Sequence, residues 1–187
     1  KIYFSVAKEY LFINKKNNKI IIDKLPLNIK DVGFIHRIFP ESKFIFVLRH
    51  PCDSVLSCFM NRFGMNNAMI NFCTLSDTTK FYNKIMLLWK QYTTALPIHY
   101  KTIKYEDVIE NVEKTIKPLI GFINLEWDKS LLGHSSTAKK RTIINTPSYN
   151  QVIKPFYSTS VGKWKRYKEE ITPVYPILEK WIKEFNY

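Results

Sequence analysis

Arg49 and Ser57 combine residue types and spacing that suit one piece of chemistry, the holding of a phosphate-like anion. Arg49 closes an apolar run, Lys43–Leu48, and Ser57 falls in the second turn of the helix predicted to follow. In an open α/β sheet, ligands bind beyond the carboxyl ends of the strands, where helix N-termini present unpaired N–H groups to anions. A guanidinium fork and a hydroxyl at that spot converge on one phosphate. The same two residues also fit an arginine that caps a neighbouring carbonyl and a serine packed inside a helix, and spacing alone leaves both readings open. Lys24 follows a second short apolar run, Lys19–Asp23, so it reaches the same edge as Arg49 if the two runs are parallel strands.

These side chains need particular elements to position them. The run KFIFVL over Lys43–Leu48, rich in β-branched and aromatic residues, predicts a strand buried on both faces, and Arg49-His50-Pro51 ends it. Pro51 in a first turn, Asp53 complementing the helix dipole, and Val55, Leu56, Phe59 and Met60 at helical spacing predict a helix that stops by Gly64. Upstream, Phe4, Ala7, Tyr10, Leu11 and Ile13 predict a helix over Ile2–Asn14. Asp31 is placed to N-cap a helix through Val32, Ile35, His36 and Ile38, which Phe39-Pro40 ends. With a strand on either side, that makes a right-handed βαβ crossover.

Residues 65–76 read as a polar loop of the length that lids and substrate loops have. A helix beginning at Ser76 or Asp77 carries Phe81, Ile85, Leu88, Trp89 and Tyr92 on one face, and Ile98–Lys104 reads as a third strand. A helix from about Asp107 to Asn124 is kinked or divided by Pro118. Residues 130–157 form the least regular stretch, long and basic, with Lys139, Lys140, Arg141, Ser148 and Gln151. Pro173 and Pro176 break the C-terminal helical stretches.

The chain has 187 residues, 45% hydrophobic and 15% aromatic, which suits one domain with a sizeable core. Its formal charge of +13 points to an acidic partner: a nucleotide, a sulfated or phosphorylated substrate, nucleic acid or a membrane surface. No block of about six like charges occurs and the aromatics fall on helical faces, so a nucleic-acid-binding domain rests on charge alone and no nucleic-acid partner is expected. No apolar run approaches the roughly 20 residues of a membrane helix. Cys52, Cys58 and Cys73 match neither a metal spacing nor a disulfide framework, which favours a reducing, cytoplasmic interior without fixing the compartment.

Taken in order, D-K-L-P-L-N at 23–28, R-H-P-C-D-S-V-L-S at 49–57, K-Y-E-D at 104–107, L-E-W-D at 125–128 and T-P-S-Y-N-Q-V-I-K-P-F-Y-S-T-S-V-G-K-W at 146–164 resemble the sulfotransferases that use 3′-phosphoadenosine 5′-phosphosulfate. The likeness is greatest to bacterial sulfotransferases often fused to tetratricopeptide repeats, and more distant to tyrosylprotein sulfotransferases. It covers nearly the whole chain. It implies a P-loop NTPase-like α/β fold, a parallel sheet flanked by helices, in a single sulfotransferase domain over residues 1–187. It also implies transfer of a sulfuryl group from the phosphosulfate co-substrate to a hydroxyl acceptor, a tyrosine peptide, carbohydrate or lipid, without a metal.

The resemblance carries roles residue by residue. Arg49 and Ser57 match the residues that hold the donor's 3′-phosphate, Tyr105 the residue near the adenine, and Ser148 and Lys163 positions that tyrosylprotein sulfotransferases use on the nucleotide phosphates. Lys24 matches a lysine or histidine that contacts the transferring sulfuryl group. Such a transfer needs in-line positioning and cations on the oxygens more than covalent help. Two departures stand out. The Gly-rich phosphosulfate loop and first strand are expected before Ile2–Asn14 and are missing, so the domain reads as N-terminally truncated, with the general base lost in the same region. Asn61 stands where tyrosylprotein enzymes carry a second phosphate-binding arginine, and Arg62 lies about 100° further round the helix. The alternative function is therefore a non-catalytic nucleotide- or polyanion-binding module.

Overall fold

Lys43–Leu48 forms strand β1, and His99–Lys104 forms β2 beside it, parallel and in register from Lys43 opposite His99 to Leu48 opposite Lys104. The computed structural model describes residues 2, 3, 5, 6, 20–133 and 158–187. Phe46 and Leu48 alternate with Ile45 and Val47, so they share one face of the pleat. That face is buried: Phe46 stacks on Trp89 with ring centroids 4.4 Å apart and meets Phe185 edge-on at 6.3 Å. Met86 and Trp181 complete this core.

The opposite face departs from the expected burial on both sides. Val47 is 59% exposed and Ile45 36%. Among the described residues the strand is anchored on this side at its start, where the Lys43 ammonium donates to the Phe122 carbonyl at 2.6 Å and to Asn124 Oδ1 at 2.9 Å.

Helix α1 (Val32–Ile38) precedes β1, and α2 (Pro51–Met60) and α3 (Leu75–Ala95) cross from β1 to β2. The expected strand over Lys19–Asp23 is corrected: Lys19 lies outside the described residues, and residues 20–25 carry no strand, with Ile22 68% exposed. Strand propensity needs a partner strand to be realised, and among the described residues none hydrogen-bonds this run. Nor does Asp31 cap α1. A 3-10 helix, Pro26–Asp31, runs straight into α1, and the Asp31 carboxylate pairs with Lys30 at 2.7 Å instead.

The cap of α3 is Thr74, two or three residues ahead of the expected start, its hydroxyl accepting from the Asp77 N–H at 3.0 Å. After β2 come α4 (Tyr105–Glu110) and α5 (Val112–Phe122). The break falls at Asn111, whose extended backbone ends α4 and whose side chain caps α5, and Pro118 sits inside α5 without dividing it. Of the N-terminal helix, Ile2, Tyr3, Ser5 and Val6 are helical and the rest lies outside the described residues.

The C-terminal prolines open helices more than they break them. Pro173 is the second residue of a 3-10 turn, Thr172–Val174, between α6 (Lys168–Ile171) and α7 (Tyr175–Glu184), and Pro176 sits in the first turn of α7. Leu178 of α7 enters a second core with Cys52, Val55 and Leu56 of α2 and Ile171 and Val174, while Trp181 of the same helix reaches the sheet-facing core.

Candidate functional site

The carboxyl end of β1 feeds directly into α2, and this junction holds most of the site. Pro51 presets the helical backbone at the first turn, and His50 caps it, Nδ1 accepting from the Cys52 N–H at 3.3 Å. Cys52, Val55 and Leu56 are driven into the second core, which fixes the helix direction. Ser57 is then half-buried in the second turn, and its hydroxyl has no hydrogen bond among the described residues.

Arg49 does two things at once. One guanidinium N–H (Nη2) donates to the Ser160 carbonyl at 2.6 Å, the carbonyl-capping role, and the group lies over the Tyr105 ring at 5.4 Å from its centroid. Its Nε is buried and finds no acceptor among the described residues. A buried donor left unpaired costs about 1–3 kcal/mol, more when charged, so an acceptor brought to this atom would be favoured. The Arg49 charge also acts on Cys58, the neighbour of Ser57, pulling down a thiol that burial pushes up. Arg49 and Tyr105 thus meet at the strand ends, and Ser57 follows in the second turn of α2.

A third segment joins them. Gly162 adopts the left-handed backbone, φ 67°, and the N–H groups of Gly162 and Trp164 donate to the two Asp53 oxygens at 2.7 and 2.8 Å. Charge-assisted bonds of this kind contribute about 1.5–3 kcal/mol each. Lys163 lies between the two bonded amides, half-buried, with no ion pair among the described residues. Trp164 stacks on His50, centroids 5.1 Å apart and planes 13° off parallel.

Glu106 closes the far side, accepting from the His50 N–H at 2.9 Å and the Tyr187 hydroxyl at 2.8 Å. Burial lowers the His50 pKa below 6.5, opposed by Asp53 and Glu106 and helped by Lys165 and Arg49. Burial and the bond to Glu106 push the Tyr187 phenol up, and burial pushes the Cys52 thiol to about 12, so neither is a nucleophile near neutrality. Among the described residues no group of three or more His, Cys, Asp and Glu is placed to hold a metal ion.

Lys24 makes no hydrogen bond, ion pair or ring contact with this cluster among the described residues. It is exposed in the strandless run, with no ion pair among the described residues. Ser148 lies outside the described residues. Sequence reasoning credited Asp53 with a dipole role and missed its clasp on Gly162 and Trp164, because the partners are 109 and 111 residues away. It also missed Lys165, whose side chain folds over Gly162 at 3.6 Å from where a Cβ would sit. The density of basic residues after Gly162 was the available signal.

A profile of the sulfotransferase family matches residues 3–129. The chain belongs to the sulfotransferase family. Among relatives of this sulfotransferase chain, an uncharacterized protein of Aquifex aeolicus is 30% identical over 167 residues, 89% of this chain and 22% of that protein. Protein-tyrosine sulfotransferase 1 of Danio rerio is 28% identical over 153 residues, 77% of this chain and 41% of the relative. The chain thus spans less than half the length of either. The solved sulfotransferase domain from the curacin biosynthetic pathway superposes with a TM-score of 0.63 at 18% identity, covering 88% of this chain and 60% of that one. The fold is accordingly the P-loop-like α/β fold of that domain, with a parallel sheet flanked by helices.

Proposed function

We propose that the chain moves a sulfuryl group from 3′-phosphoadenosine 5′-phosphosulfate to a hydroxyl acceptor, with Arg49 and Ser57 on the donor's 3′-phosphate. The observation that carries this reading is the buried Arg49 Nε without an acceptor, at the end of a parallel strand. The residues fit the group: a guanidinium with donors to spare, a Ser57 hydroxyl with no hydrogen bond among the described residues, and the half-buried Lys163 suit a phosphate dianion. Tyr105, against the Arg49 guanidinium, offers an aromatic surface at the place where an adenine would lie.

In the transfer the acceptor oxygen bonds to sulfur as the bond from sulfur to the bridging phosphate oxygen breaks. The bisphosphate nucleotide leaves, and the acceptor proton passes to base or water. Lys24 is the proposed cation for the sulfuryl oxygens, by resemblance alone. Similarity to protein-tyrosine sulfotransferases makes a tyrosine hydroxyl the first acceptor to try.

One observation favours a second reading, binding without turnover: Lys24 sits in an exposed segment with no strand to aim it. Calorimetric titration with adenosine 3′,5′-bisphosphate tests the first part of the proposal. Arg49→Ala is expected to weaken binding by at least about tenfold, the scale of a lost charge-assisted contact. An unchanged affinity removes the phosphate assignment. Acceptor-dependent release of the bisphosphate from the phosphosulfate then separates the enzyme from the binding module.

A further inference from the structure

Asp53 is the only fully buried carboxylate among the described residues, 1% exposed. A dipole-complementing aspartate in the first turn of a helix has no need of such burial, and a carboxylate withdrawn from water is costly unless its oxygens are bonded. Here both oxygens are spent on one short loop, at the amides on either side of Lys163. The left-handed Gly162 bends the backbone so that both amides face one carboxylate, and this is a conformation a side chain rarely takes. The residue before the helix grips the same loop, Arg49 holding the Ser160 carbonyl. Two successive turns of chain at the start of α2 therefore fix the loop at residues 160, 162 and 164, leaving Lys163 as the side chain between the grips.

We infer that Asp53 is a positioning residue: it clamps the loop so that Lys163 meets the same phosphate as Arg49 and Ser57 before any ligand arrives. The inference rests on the proposed nucleotide site and adds what holds its lysine in place. Asp53 touches no substrate itself. Its effect on binding runs through Lys163, and that distinguishes it from a residue that merely stabilises the fold.

The test is a set of calorimetric titrations with adenosine 3′,5′-bisphosphate on the wild type, Arg49→Ala, Asp53→Asn, Gly162→Ala and Lys163→Ala, with Asp53→Asn and Gly162→Ala also placed on the Lys163→Ala background. Amide hydrogen exchange at Gly162 and Trp164 is followed in each. Gly162→Ala disturbs the clamp from the loop side and keeps the question answerable if Asp53→Asn does not fold. Each clamp variant is expected to speed exchange at the two amides and to weaken binding about tenfold, falling to less than about threefold once Lys163 is already alanine. Equal losses on both backgrounds overturn the inference, as does faster exchange with unchanged affinity. If the wild type binds no bisphosphate, or Arg49→Ala binds as tightly, the nucleotide site itself falls and the inference with it. If Arg49→Ala fails and the clamp variants do not, only the clamp is refuted.

Discussion

Arg49 and Lys24 each follow an apolar run that the sequence predicts as a strand, yet only Arg49 has structure behind it. β1 is paired along its length, its inner face rests on Trp89 and Trp181, and α2 is locked to α7 through Leu178. The Arg49 backbone therefore has one direction, and the loop at 160–164 is tied to the same helix start. The run before Lys24 pairs with no strand among the described residues and exposes Ile20 and Ile22, and Leu25 just after it is exposed too. The difference teaches that the phosphate-holding end of the site is built by long-range burial, whereas the end proposed for the sulfuryl group is held by exposed polar contacts, such as the Tyr3 hydroxyl on Asp23 at 3.0 Å.

The strongest way to break that contrast is to remove support from one side. Leu178→Ala, at a fully buried position, is expected to cost about 2–5 kcal/mol in denaturant unfolding. Leu25→Ala should stay within about 0.5 kcal/mol. Comparable losses at the two positions would show that the exposed run is packed after all.

Gly33→Ala probes the boundary between the two regions. The added Cβ falls 2.7 Å from Tyr92 Cε1, and that ring is held by its hydroxyl bond to the Lys30 carbonyl at 2.8 Å. Overpacking costs about 1–3 kcal/mol and outweighs the roughly 1 kcal/mol that alanine gains over glycine in a helix. A net loss near 1 kcal/mol in thermal unfolding is expected, and a stabilised variant would mean that α1 slides freely on α3.

His50 gives a gentler test of the buried side. Its folded pKa is lowered, so between the folded value and about 6.5 the unfolded chain binds the proton that the fold refuses. Stability present above pH 6.5 is lost as the pH falls through that window. His50→Asn, which keeps a capping acceptor, should flatten the slope of unfolding free energy between about pH 7.5 and 5.5. An unchanged slope would place the acid sensitivity elsewhere. The smallest effect is expected at Lys24→Ala: no shift in melting temperature and no change in bisphosphate affinity, with any loss confined to turnover. A weakened affinity would join Lys24 to the phosphate end and dissolve the distinction.

Local signals carried the sequence a long way at this junction. Pro51 after an apolar run, and Val55, Leu56 and Phe59 at helical spacing, marked the strand, turn and helix that place Arg49 and Ser57. The third strand was legible for the same reason. Failures came where a partner decides. Ile20–Ile22 has strand propensity and no strand beside it among the described residues; Asn111 ends a helix that Pro118 was expected to kink or divide; and Val47 faces out because little is packed over it. The family motifs named Lys163, but nothing local tells that Asp53 holds its neighbours.

The two faces of α7 set a schedule for making this protein. Leu178 and Trp181 fill different cores, so neither core closes until that helix has emerged from the ribosome. Roughly 130 residues separate β1 from it, or on the order of ten seconds of synthesis, during which Trp89 and β2 emerge to cover Phe46 and pair with β1 but the sheet-facing core still lacks Trp181 and Phe185. This apolar stretch, with Lys43 its one charge, is a template for cross-strand association between nascent chains until β2 pairs with it, so yield in cells should track the capacity to shield it until then.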